Sequence, residues 1–451
     1  MQNRNKVVAF GMCSYAHDFL AMEKRVKDTI PFISGKINNL NYLGTYDDID
    51  LHKLSELKRS IDKDLAAISC IIIILSGWAQ SPPILRVINN CKNIPVYVIG
   101  LAGYYTEKGL IAPASAAGSS LLKYSLNNLD FKFHVDVQKN GEEINMNKLS
   151  DFTYAAAAFK NLKDIKIASV GYACSNLPPF MYDGNLIRKI TGVEVENIDL
   201  IEVSEKIKTL KKSELNEYKE KFINEFEFSG NVPESAINTQ AEFSVAIEKI
   251  VDENNYKAIT MKCGSGTGKY FKFSPCMVLS YIGSKIDAIC ECDVYNLVLQ
   301  VALSEMSACK SMFLEFFEFY KESVLMASCG FAPYSICKIP KKAIARDWGG
   351  DGGIMNISDL YEGSVTVSTL FPNEGRLNMH MIKGTGQNPE LFQEEGWAGW
   401  KGPKIPSLEI KLGEDADYFI ENIKGPHYMV TYGDVTQKLR FFAYFSGINI
   451  S

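Results

Sequence analysis

The run Cys70-Ile-Ile-Ile-Ile-Leu75 is apolar at every position and is followed at once by Ser76-Gly-Trp78. A strand with one wet face alternates apolar and polar residues. One that does not alternate is buried on both faces, which is the condition of a strand inside a parallel sheet covered by helices. The neighbouring pattern agrees. Strands are expected at 6–12, 41–45, 70–78 and 94–101, with helices at 21–30, where Pro31 is expected to stop the chain, and at 51–66. The strand ends Ser76-Gly-Trp-Ala-Gln80 and Gly100-Leu-Ala-Gly103 then face a crevice at the carboxyl edge, where such sheets bind ligands. No Gly-x-Gly-x-x-Gly follows the first strand, which argues against a dinucleotide site.

The rhythm restarts near residue 161. Strands are expected at 165–173, 193–200 and 258–263, a long charged helix at 203–224 and another helix at 241–253, making a second α/β unit. Beyond Pro340 the period changes to alternation: 363–370 and 376–383 flank Pro372-Asn-Glu-Gly375 as a hairpin, and 407–412 and 427–432 read as further strands. A helix at 439–445 closes the chain. A length of 451 residues is too great for one core. The expected class is α/β: two doubly wound parallel-sheet α/β domains, 1–163 and 164–327, then a smaller antiparallel β, barrel-like domain with a closing helix, 328–451.

Composition excludes more than it selects. A formal net charge of −5 carries no basic footprint, which disfavours nucleic acid as a partner. The lysine-rich 206–212 lies between Glu205 and Glu214 and reads as a solvated helix face. Residues 1–10 enter a strand with no signal-type apolar core, and the longest apolar run is far short of a membrane span. Eleven cysteines without a Cys-x-x-Cys pair argue against a zinc ribbon and fit a reducing, cytoplasmic setting. Cys290 and Cys292, taken as lying on one strand, read as core.

Two tempting glycine-rich stretches carry less chemistry than they promise. Gly264-Ser-Gly-Thr-Gly-Lys269 fails as a phosphate loop, because Cys263 and Tyr270 stand where a glycine and a hydroxyl are required. It reads as a flexible, ligand-facing loop. Arg346-Asp-Trp-Gly-Gly-Asp-Gly-Gly353 reads as a surface loop lining a cleft.

The acids are more informative. A short apolar run, Ile286 to Cys290, delivers Glu291 and Asp293; one helix later, Glu315 sits among aromatics in Met312-Phe-Leu-Glu-Phe-Phe-Glu-Phe-Tyr320. One helix and a return strand can bring Glu291 and Glu315 to one sheet edge, as a divalent metal or an acid/base pair needs. Spacing alone fits equally a solvated strand end and a charged helix cap.

Ordered segments then resemble a known family. Ala288-Ile-Cys-Glu-Cys-Asp-Val-Tyr-Asn296, Phe313-Leu-Glu315, Ala327-Ser-Cys-Gly-Phe-Ala-Pro-Tyr-Ser335, Gly363-Ser-Val-Thr-Val367 and Lys424-Gly-Pro-His-Tyr-Met-Val-Thr-Tyr-Gly-Asp434 resemble the L-fucose isomerase and L-arabinose isomerase superfamily, most closely its short, fucose-isomerase-like members. The resemblance implies a divalent metal, Mn2+ or another such as Mg2+ or Co2+, held by Glu291, Glu315 and His427, with both glutamates also catalytic. It implies a serine at Ser328, as in fucose-type enzymes, and a homo-oligomer, trimer or hexamer, with active sites shared between chains. His17 is then a candidate sugar contact from a neighbouring subunit. The chain departs from many short members after Lys262-Cys263, where they carry Trp-Pro-Glu.

Around that core, Asp293 is expected either to support a ligand or to cap the helix from Val294. Trp78, Trp397 and Trp400 can stack on a sugar, although core packing is the default. His380 reads as structural. Lys262, with Lys269 and Lys272, can hold an anionic group. The leading expectation is a metal-dependent aldose–ketose isomerase acting through an enediol(ate). The alternatives are an epimerase or lyase on an anionic sugar, and a non-catalytic sugar-binding protein.

Overall fold

The continuous apolar run becomes the centre of a parallel sheet. In the computed structural model, which describes residues 5–451 apart from 174–176, 308–310, 347–351, 390–404 and 414–415, Ile68–Leu75 is buried at all eight positions. Its sheet runs in the order Leu40–Asp47, Lys6–Cys13, Ile68–Leu75, Val96–Gly100 and Phe133–Val137, all parallel. Helices cover it and supply the matching core residues Leu54, Leu57, Ile61, Ile84, Leu122 and Leu126. The chain divides into two compact units, Met1–Lys160 and Asn161–Ser451, and this sheet belongs to the first.

Two expectations about helices are corrected. Pro31 does not stop the first helix, which runs Phe19–Ser34 with Pro31 inside it. A proline that late in a helix forfeits one backbone bond, and burial of Met22, Val26 and Ile33 on the packed face sustains the last turn. The single helix expected over 203–224 is two, Leu200–Lys208 and Lys212–Glu225. Asp199 and Glu202 form a capping box that starts the first early. Glu214 accepts from the Lys211 N–H at 2.9 Å and so starts the second afresh.

The second unit holds a four-stranded parallel sheet in the order Asp287–Cys290, Ala258–Met261, Lys166–Val170 and Glu194–Ile198. It also holds a closed antiparallel barrel of six strands. Gly363–Asn373, His427–Tyr432, Ser311–Phe319, Ser323–Ala327, Ser407–Leu412 and Arg376–Gln387 follow one another around it, and the last pairs back to the first. Glu374 and Gly375, at φ of 50° and 71°, make the two-residue turn of the expected hairpin. Met312, Leu314, Val324, Met326, Val365, Val367, Leu408, Ile410, Tyr428 and Val430 fill the barrel interior. The buried helix Val294–Met306 packs between this barrel and the parallel sheet.

Gly264–Lys269 is not an open loop: Cys263–Gly268 forms a π-helical turn in which the Lys269 N–H reaches the Gly264 carbonyl. The stretch expected as a surface loop at 346–353 enters a strand at Gly352, Gly352–Asn356, and its residues 347–351 lie outside the described residues, as do Trp397 and Trp400. Among the described residues, no helix is long and apolar enough to cross a membrane.

Candidate metal centre

Strand alternation aims two of the three expected ligands. Because Met312, Leu314, Tyr428 and Val430 point into the barrel, Phe313, Glu315 and His427 point out of it. Glu315 and His427 are direct partners across the antiparallel pair Ser311–Phe319 and His427–Tyr432, so their side chains share a face. A bulge follows immediately, between Phe316 and Glu318.

Glu291 arrives from the parallel sheet. Asp287–Cys290 ends one residue before it, and its N–H is held by the Met261 carbonyl at 2.9 Å. Glu291 and Cys292 then adopt φ of 64° and 58°, a left-handed pair that costs non-glycine residues about 1–3 kcal/mol each. This turn corrects the expectation of one strand through Cys292. Both thiols are buried, but Cys292 lies beyond the strand end.

One ligand atom from each of Glu291, Glu315 and His427 lies within 4.8 Å of the others. His427 Nε2 is 3.5 Å from Glu291 Oε2, and Nδ1 is 3.3 Å from Asp293 Oδ2. Asp293 also accepts from the Asn296 N–H at 3.1 Å and Asn296 Nδ2 at 2.8 Å. The two roles weighed for Asp293 are therefore held by one carboxylate: it caps Val294–Met306 and braces the histidine. His427 is further fixed by Phe180, stacked at 4.3 Å and 9°, and by the edge of Phe313 at 4.0 Å.

The electrostatics of the three groups favour a cation. Burial pushes the Glu291 carboxyl up, His427 pulls it back, and Glu315 and Asp293 push it up again. Burial pushes Glu315 up to about 7. Among the described residues no hydrogen-bond donor reaches the Glu315 carboxylate. Two mutually repelling carboxylates and one imidazole whose far nitrogen rests on a third carboxylate match the donor set of a divalent ion such as manganese.

A cluster of thiols borders the site. Cys263 Sγ is 3.9 Å from Glu291 Oε1. Farther along, Arg346 Nη1 donates to Cys276 Sγ at 3.2 Å and to the Cys329 carbonyl at 3.1 Å. The Cys329 hydrogen bond, with the Arg346 guanidinium and a Ser274 hydrogen bond, pulls the Cys276 thiol down against the opposing effect of burial. The thiols and Phe180 are neighbours that sequence reasoning missed. Phe180 sits in Leu177-Pro-Pro-Phe180, more than a hundred residues before Glu291, and no local pattern ties it to a histidine.

The remaining expected residues lie elsewhere. Ser328 is buried at the end of Ser323–Ala327, and its Oγ accepts from the Phe331 N–H at 3.1 Å. Lys262 follows Ala258–Met261, one strand over from Glu291, and its Nζ donates to the Ala173 carbonyl at 3.3 Å. His380 lies inside the barrel, where its Nδ1 is 2.8 Å from the Tyr428 hydroxyl. His17 and Trp78 belong to the first unit. They follow Lys6–Cys13 and Ile68–Leu75, adjacent strands flanking that sheet's reversal of strand order. Trp78 is half-buried. The His17 ring packs on Gly77, and its Nε2 is buried without a hydrogen-bond partner among the described residues.

With this geometry in place, comparison with known proteins gives a consistent but distant signal. The chain is 24% identical over 300 residues to proteins named sulfoquinovose isomerase from Priestia aryabhattai and from Priestia megaterium strain ATCC 12872 / QMB1551. The alignment covers 62% of this chain and 62% of each relative, so the chain spans about three fifths of the relatives' length. No protein-family profile matches. Transporter solute-binding proteins from Burkholderia multivorans (15% identity, 59% of this chain and 82% of that one, TM-score 0.18) and Desulfitobacterium hafniense (10%, 70% and 73%, 0.17) are too distant in shape to bear on the fold.

Proposed function

We propose that this chain is a metal-dependent aldose–ketose isomerase that acts on a sugar or modified sugar through an enediol(ate). The observation that carries the reading is the convergence of Glu291, Glu315 and His427 within 4.8 Å, with Asp293 bracing the histidine from behind. Its resemblance to proteins named as isomerases of sulfoquinovose supports the same class.

A divalent cation bound there, Mn2+ or alternatively Mg2+ or Co2+, would supply a Lewis acid toward two adjacent sugar oxygens. The chain's own groups do the rest. With its proton on Nδ1, donated to Asp293, His427 presents the Nε2 lone pair to the centre. Phe180 and Phe313 cover the ring and exclude water from it. Glu291 and Glu315 flank one side of the centre, from which a carboxylate can take the proton from C2 and return it to C1 while oxygen protons exchange. The same proposal includes a homo-oligomer, a trimer or hexamer, in which His17 reaches the sugar from a neighbouring subunit and Trp78 stacks on a sugar face.

The test is elemental analysis of purified wild type and Glu315→Ala, followed by aldose–ketose turnover with added manganese. The expected result is about one divalent ion per wild-type chain, with ion and turnover both lost in the variant. Wild type free of metal after purification in manganese, and inactive on every aldose, would overturn the reading.

A further inference from the structure

We propose that the cavity beyond the carboxyl ends of the second parallel sheet, with Lys262 on its wall, receives the end of the sugar remote from the metal centre and selects an anionic substituent there. This inference rests on the isomerase reading and adds a substrate class to it.

The topology puts a crevice in this place. The chain passes from Lys166–Val170 out to Glu194–Ile198, then returns across the first of these to Ala258–Met261 and on to Asp287–Cys290. The order thus reverses between Lys166–Val170 and Ala258–Met261, the point at which sheets of this kind open a ligand crevice. A cavity of about 490 Å3 lies there, lined by Gly171, Tyr172, Asp199, Lys262, Tyr270 and Phe271 among others.

The same sheet edge carries both Glu291 and the wall of that cavity. Main-chain bonds step along it: Glu291 N to Met261 O at 2.9 Å, Lys262 N to Val170 O at 2.9 Å, and Gly171 N to Ile198 O at 2.8 Å. With neighbouring strands ~5 Å apart, Lys262 lies about one spacing and Gly171 about two spacings from Glu291. A hexose held by its first two oxygens at Glu291 spans that interval, and its terminal carbon reaches the cavity.

Lys262 is built for an anion. Its stem is clamped between two glycines: a Cβ on Gly171, at φ +89°, would sit 3.0 Å from Lys262 Cβ, and one on Gly266 would sit 2.8 Å from Cγ. Among the described residues its ammonium donates only to the Ala173 carbonyl, at 3.3 Å, and no carboxylate pairs with it. Lys206, Lys338 and Lys341, by contrast, each hold a glutamate. Asp199, the acid on the lining, has both oxygens engaged, Oδ2 by the Tyr172 hydroxyl at 3.0 Å and Oδ1 by the Ile201 N–H at 2.9 Å. The half-buried ammonium is thus the group left to meet a charged ligand, and a sulfonate, phosphate or carboxylate on the last sugar carbon supplies the acceptor oxygens.

The test compares wild type, Lys262→Gln and Lys262→Arg, each loaded with manganese. The readout is kcat/KM for aldohexoses bearing a 6-sulfonate, a 6-phosphate or a 6-carboxylate, divided by the value for the neutral 6-deoxy and 6-hydroxy sugars. Wild type is expected to favour at least one charged sugar, identifying which anion is read. The ratio should fall about tenfold to a hundredfold in Lys262→Gln, the worth of one charge-assisted hydrogen bond, and recover in Lys262→Arg. A merely structural role lowers both substrates together and leaves the ratio unmoved, and that result overturns the proposal. Calorimetric binding of 6-phosphorylated and 6-sulfonated alditols, which cannot isomerise, separates the two claims. Lysine-dependent binding without turnover of any aldose overturns the isomerase reading and leaves the anion site standing. Turnover with no preference for charge overturns the anion site alone, and neither binding nor turnover overturns both.

Discussion

Replacing Asp293 by asparagine isolates the brace behind His427 from the helix cap. Asparagine caps a helix as well as aspartate does, so the bond from the Asn296 N–H to Oδ1 survives. The amide nitrogen then falls at the Oδ2 position, where it opposes two donors, Asn296 Nδ2 at 2.8 Å and His427 Nδ1 at 3.3 Å. The imidazole can answer only by moving its proton to Nε2, which removes the lone pair facing Glu291. Losing such a supporting carboxylate typically costs tenfold to a hundredfold in metal affinity, about 1.4–2.8 kcal/mol. The assay is calorimetric titration of chelator-stripped protein with manganese at neutral pH, with helix content followed by circular dichroism. Asp293→Ala is the comparison, since it also loses the cap and should give up about a further 1 kcal/mol of folding stability. An asparagine variant that binds manganese as tightly as wild type would refute the reasoning and leave Asp293 as a helix cap only.

Two further outcomes follow from the same geometry. Glu315 titrates at about 7 in the folded chain against 4.5 for a free glutamate, so the folded state holds the extra proton between those values; stability of the metal-free protein should fall as pH rises through that window, by up to roughly 3 kcal/mol. Glu315→Gln should flatten that slope in denaturant unfolding at several pH values, and an unchanged slope would show that Glu315 is not the source. Phe180→Ala removes a ring that is 1% exposed and stacked on His427, with an expected loss of about 3–5 kcal/mol by thermal or denaturant melting and weaker manganese binding in whatever fraction stays folded; a loss below 1 kcal/mol would show that the stack is loose.

Those expectations draw unevenly on what the sequence makes visible. Strands buried on both faces, such as Ile68–Leu75, announce themselves because no polar residue interrupts them, and alternation in Gly363–Asn373 and Arg376–Gln387 does the same for the barrel. Closure of the barrel is not visible, since it depends on pairing between strands far apart in the chain. Pro31 misleads because one missing N–H looks the same from the sequence whether or not the helix around it is packed. Asp293 is ambiguous by spacing for a physical reason: a carboxylate ahead of a helix is a good cap and a good second ligand shell, and here both uses coincide. The convergence of Glu291, Glu315 and His427 is anticipated by ordered motifs rather than by local chemistry. Phe180, Cys263 and Arg346 were not legible, because each reaches its partners through tertiary contact alone.

The barrel's closure has a consequence for how the site tolerates change. Glu315 and His427 occupy the same rung, so their shared direction depends on register alone. A slip of one residue in either strand would turn one of them into the hydrophobic interior and the other outward. An open sheet can absorb such a slip at its edge, whereas a ring of six strands must shift every pairing to do so. Insertions at the Asn373–Arg376 turn should therefore be neutral to the site. A single added residue between Ser311 and Glu315 should abolish it while leaving every ligand in the chain.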